Sequence, residues 1–76
     1  SARTVTARFI YKASAPVAQI YADFRATAER ACRTSGPRPV SLRRVDAKCT
    51  ADLLQRVLRR VNRTDLAAIH ADAMRG

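Results

Sequence analysis

Residues 41–61 read SLRRVDAKCTADLLQRVLRRV, and this stretch decides the fold. Its apolar residues are Leu42, Val45, Cys49, Leu53, Leu54, Val57, Leu58 and Val61. Their intervals are those of one face of an amphipathic helix. No glycine or proline interrupts the run, and Ser41 stands where an N-cap would accept a backbone N–H. The stretch predicts a long helix over about 42–61. Asn62 ends it.

Upstream, Gly36, Pro37 and Pro39 make a stiff loop that separates this helix from an earlier one. The earlier helix is expected over about 15–33, where Val17, Ile20, Tyr21, Phe24, Ala28, Ala31 and Cys32 recur at helical spacing. Ser14 is its expected N-cap, with Pro16 in the first turn where its missing N–H costs nothing. Downstream, Thr64 is expected to cap a third helix over about 65–75, with Leu66, Ile69, His70 and Ala73 on its apolar stripe. Asp65 near its start and Arg75 at its end both suit the helix dipole.

The N-terminal segment follows another period. Residues 4–12, TVTARFIYK, place Val5, Ala7, Phe9 and Tyr11 on one side and Thr4, Thr6, Arg8 and Lys12 on the other, with Ile10 as the exception. Alternation with β-branched and aromatic residues predicts a strand. A lone strand has no partner for its backbone donors within the chain. Two arrangements follow. Either the segment lies as an extended arm across the helices, or the strand carrying Val5, Ala7, Phe9 and Tyr11 pairs with its copy in a second molecule. A two-fold pairing of that kind would remove the exposed edge.

Cys32 and Cys49 are the only cysteines, and the chain holds one His. No CxxC or CxxCH spacing is present, so zinc, c-type haem and thioredoxin-like chemistry lack their ligands. A chain of 76 residues buries only about 60% of its unfolded surface, so its core is marginal without a staple. One disulfide is the simplest use of the pair, and a loop of this size is worth about 3 kcal/mol in the chain-entropy model. That implies an oxidising compartment, periplasmic or extracellular, with any signal peptide already removed. Two buried thiols in a cytosolic protein are the alternative. The expected architecture is a single small domain, 1–76, mostly α: a short N-terminal β-strand or extended arm, a disulfide-tied helical hairpin and a short third helix.

Fifteen Lys and Arg against six Asp and Glu give a formal charge of +9 and a pI near 11.3. Most of the excess lies between Arg33 and Arg63, which holds nine bases and two acids, Asp46 and Asp52. Such a field attracts phosphate, sulfated polymer, anionic lipid or an acidic protein face. Arg56, Arg59, Arg60 and Arg63 recur at i, i+3, i+4 and i+7, a stripe opposite Leu54, Leu58 and Val61, and Arg43 and Arg44 extend it. Guanidinium groups at this spacing suit successive anionic groups. The competing reading is a solvated face that only keeps a small protein soluble. Aromatic residues for base stacking are absent from the stripe, and no helix-turn-helix signature accompanies it, so sequence-specific reading of nucleic acid is not expected.

His70 and Met74, one helical turn apart, are the residues that would suit a soft metal, but two ligands are too few. No metal or other cofactor is expected. The six carboxylates are scattered: Asp23, Glu29, Asp46, Asp52, Asp65 and Asp72. With a single His, no oriented nucleophile and no glycine-rich phosphate loop, an enzyme is not expected.

The order of these features resembles the UrcA family of small exported proteobacterial proteins. The matching residues are Ile10-Tyr11, then Ile20-Tyr21, Phe24, Ala28 and Ala31-Cys32, then Cys49, Val57, Val61-Asn62, Leu66 and Ile69-His70. Lys12-Ala13-Ser14 stands where the family pattern carries an acidic, leucine-bearing segment. The resemblance implies export and brings no biochemical activity with it. The expectation is therefore a non-catalytic exported module whose basic face binds an acidic protein, an anionic polymer or an anionic membrane surface. The alternative is a structural homodimer paired through the N-terminal strand, with no dedicated ligand.

Overall fold

The computed structural model describes residues 6–33 and 40–75, with the side chains of 40–42 left aside. Three helices make up most of it: α1 Val17–Ala31, α2 Val40–Val61 and α3 Thr64–Arg75. Val5, the Gly36–Pro39 loop and the side chains of Ser41 and Leu42 lie outside the described residues.

Helix α1 is the central element and packs against both others. Its residues Ile20, Tyr21, Phe24 and Ala28, with Cys32 at its C-cap, meet Leu53, Leu54 and Val57 of α2 and Leu66 of α3 in one core. Helix α2 runs back along α1: Cys49 is bonded to Cys32 at one end, and Leu54 lines a crevice with Tyr21 further along. The disulfide spans 5.7 Å between Cα atoms, the separation ordinary for such a bond. It ties the C-terminal end of α1 to the first half of α2.

Local chemistry sets the helix ends, and some differ from expectation. Pro16, not Ser14, is the N-cap of α1: its carbonyl accepts the Gln19 and Ile20 N–H groups at 3.0 and 3.1 Å. Ser14 sits instead in a turn closed by the Ala15 N–H on the Lys12 carbonyl at 3.0 Å. Proline serves at this cap because its fixed φ leads into the helix and it has no N–H to leave unpaired. Helix α1 stops at Ala31, two residues early, and Ala31 is exposed while Cys32 turns inward. Asn62 ends α2 with φ of 54°, a left-handed conformation that Asn tolerates better than most residues. Only Asn62 and Arg63 then separate α2 from α3.

Among the described residues, the N-terminal strand is not formed. Residues 6–12 carry no strand, and no backbone–backbone hydrogen bond joins residues 6–11 to another described residue. The extended-arm arrangement describes them instead. Burial still alternates, with Ala7 and Phe9 half-buried between exposed Thr6, Arg8 and Ile10. Phe9 and Tyr11 both set their rings edge-on to Phe24, with centroids 5.4 and 5.3 Å away. The period-2 pattern recorded which side of residues 6–10 faces the core, and Tyr11, expected on that side, is exposed. The pattern could not supply the second strand that a ladder requires.

Candidate functional site

The exposed cationic residues of α2 from Arg44 onward spread over about half of its circumference. At about 100° per residue, Arg44, Lys48 and Arg59 point away from the buried Leu53–Val57 line, while Arg56 and Arg60 lie on its flank. All five side chains are exposed. Asp52 and Gln55 share the outer face. Lys48 belongs to this face although the stripe reading left it out, because that reading followed guanidinium spacing and not charge.

Arg43 stands apart from the rest. It lines a cavity of about 450 Å³ near the disulfide with Glu29, Arg30, Arg33, Asp46 and Thr50. Two acids among these residues make that cavity mixed in charge.

Arg63 does not belong to the face at all. It lies beyond the end of α2, and its guanidinium grips Asp65 with two bonds, Nε to Oδ1 at 3.1 Å and Nη2 to Oδ2 at 2.7 Å. Its Nη1 also donates to the Ala13 carbonyl at 3.3 Å. The hydrogen bond from Arg63 holds the Asp65 carboxyl below its usual range, against a smaller opposing effect of desolvation, and the Leu66 N–H at 2.8 Å adds to it. Asp65 in turn raises the Arg63 guanidinium above its usual value. Arg63 therefore straps the turn before α1 to the α2–α3 corner. The i+7 spacing misplaced it because Asn62 breaks the helix that the spacing assumed.

Val45 does not take its expected inner side, and its neighbour Asp46 is buried. Val45 is 61% exposed, whereas Asp46 is 8% exposed. At about 100° per residue, Asp46 falls between Leu53 and Val57 while Val45 falls about 80° outside Leu53, so the helical period itself places Asp46 inward. That signal was present in the chain and was masked by residue type. Thr50 donates its hydroxyl to the Asp46 carbonyl at 2.9 Å.

The arm adds to the basic face. Beside α2 it forms a cleft of about 790 Å³ whose lining includes Arg8, Phe9, Tyr11, Val57 and Arg60. An adjoining cleft of about 400 Å³ shares Phe9, Val57 and Arg60 and adds Leu53 and Arg56. Phenyl and aliphatic carbon make the floor, and guanidinium groups stand round it.

His70 and Met74 line one small cavity of about 220 Å³ with Tyr21 and Leu54. The Nδ1 of His70 is engaged by the Tyr21 hydroxyl at 2.9 Å. Among the described residues, no group of three or more His, Cys, Asp or Glu is close enough to hold a metal ion. Nor is any helix there long and apolar enough to cross a membrane.

Set against known proteins, the chain matches no protein-family model, no curated protein and no solved structure.

Proposed function

We propose that this chain is a non-catalytic interaction module whose α2 face binds an anionic partner. The observation that carries the reading is the exposed array of Arg44, Lys48, Arg56, Arg59 and Arg60 along one helix, against a single exposed acid, Asp52. A rigid helix pinned by a disulfide and by packing on α1 holds these cations at fixed separations. Preorganised cations lose less freedom on binding than a flexible basic tail would. Export to an oxidising compartment, and membership of the UrcA family, belong to the same proposal. The disulfide and the residue pattern from Ile10 to His70 support them.

The test is binding of the labelled, oxidised protein to heparin, duplex DNA, phosphatidylglycerol vesicles and an acidic peptide. Engagement of six or more anionic groups on a duplex would weaken affinity about 10³-fold or more between about 50 and 200 mM salt. Combining Arg59→Glu with Arg60→Glu should weaken binding about tenfold or more while leaving the thermal transition nearly unchanged. Absence of binding to all four at low salt would reduce the array to a solvated surface and end the reading.

A second reading rests on the arm. Ile10 is 78% exposed on a segment whose backbone makes no hydrogen bonds to other described backbone. Such an edge is suited to pairing with its copy in a homodimer. Light scattering that shows a monomer at high concentration would exclude it.

A further inference from the structure

We infer that the cleft between the arm and α2 receives an extended acidic segment of a partner protein, which adds as a strand to residues 6–11. The inference rests on the anionic-partner reading above and names the partner's chemistry and its seat.

Three features of the cleft converge. The first is backbone. Residues 6–10 show the alternating burial of an extended chain, yet the N–H and C=O groups of residues 6–11 make no hydrogen bonds to other described backbone. A row of such groups is a template for an added strand. The second is shape. The two adjoining clefts run along the arm with Phe9 and Val57 common to both. Every second side chain of an added strand would face this floor, as the pleat requires. Six residues of strand span about 20 Å, so a short segment covers the whole arm.

The third is charge. Arg8, Arg56 and Arg60 line the two clefts, and neither has an Asp or Glu in its lining. The cavities beside α1 and α3 differ, since both include Glu29. A strand that presents apolar residues to the floor and carboxylates to the lip would place its charges against the Arg8 and Arg60 guanidinium groups in charge-assisted hydrogen bonds. A second copy of the arm is the wrong complement. It would bring its own Arg8 and Lys12 against Arg56 and Arg60, and like charges in one groove oppose docking.

The experiment uses the full oxidised chain and a fluorescent peptide of about eight residues that alternates Glu and Val. Its comparison is the same peptide with alternate backbone nitrogens methylated. Strand addition predicts that methylation weakens binding about tenfold or more, because it removes backbone donors and keeps every charge. Arg8→Glu with Arg60→Glu should weaken the unmethylated peptide about tenfold more than Arg44→Glu with Arg59→Glu does. Amide hydrogen exchange should show new protection at residues within 6–11 when the peptide is bound. Equal binding of both peptides, or greater sensitivity to the outer pair, would overturn the cleft while leaving the anionic-partner reading intact. Binding of heparin or vesicles without the peptide would do the same. A dimer protected at residues 6–11 without any peptide would overturn it in favour of a second copy. Failure of every anion to bind would overturn both readings together.

Discussion

The hydroxyl of Tyr21 lies 2.9 Å from Nδ1 of His70, joining α1 to α3 across 49 positions of chain. With the imidazole neutral and its proton on Nε2, the hydroxyl donates and Nδ1 accepts. The rings lie 5.9 Å apart at 49°, so the contact is both polar and packed. Tyr21→Phe keeps the ring and removes the donor. It should lower stability by about 1 kcal/mol, which lowers the melting temperature by about 4–8 °C in a domain of this size. Thermal melts of the two proteins measure it, and an unchanged transition would show that the contact contributes nothing.

The disulfide between Cys32 and Cys49 closes a loop with a sequence separation of 17. Chain entropy values such a loop at about 3 kcal/mol, a large share of the stability a chain of this length can have. Reduction should lower the melting temperature by ten degrees or more, or unfold the chain at room temperature. Alkylation under denaturing conditions without reductant should label neither cysteine. Labelling of both would show free thiols and remove the argument for an oxidising compartment.

Phe24 is 1% exposed and carries both rings of the arm, Phe9 and Tyr11, on its edge. Phe24→Ala should cost about 3–5 kcal/mol and leave little folded protein. Phe24→Leu is the more informative change, because it keeps the core filled and removes the aromatic seat. Trypsin should then cut after Arg8 and Lys12 faster while circular dichroism keeps its helical signal. Equal cutting rates in the two proteins would mean that the arm is held elsewhere.

Asp65 has its carboxyl held below the usual range by the hydrogen bond from Arg63. A carboxylate with a depressed folded-state pKa contributes stability above its unfolded value, and that contribution is lost as pH falls through the folded value. Asp65→Asn should therefore be less stable than the parent at pH 7. The difference should shrink below about pH 4, the range in which an unfolded Asp takes up its proton. Denaturant melts at several pH values test this. A difference that stays constant down to pH 2 would place the effect in lost packing and not in the ion pair.

Much of this architecture is written along the chain. The three helices follow from apolar spacing in residues 17–32, 42–61 and 65–75, because a helix buries one face whatever surrounds it. The inward turn of Cys32 and Cys49 follows from the same period, and their bond from their being the only two cysteines of a small chain. Asn62 as a helix stop was legible too, since few other residues accept its positive φ.

What tertiary structure alone decided is how separate elements meet. Alternation in residues 6–12 records two environments on two sides of an extended chain, and it is the same whether the covered side rests on another strand or on Phe24. Spacing put Arg63 on a cationic stripe, but a helix break turned its guanidinium to Asp65 and to the Ala13 carbonyl. Arg8 joins Arg56 and Arg60 only because the arm folds back beside α2, bringing together residues about fifty positions apart. Local sequence sets period and charge, which depend on neighbours within a few residues. The cleft depends on packing between elements distant in the chain, and no local pattern encodes it.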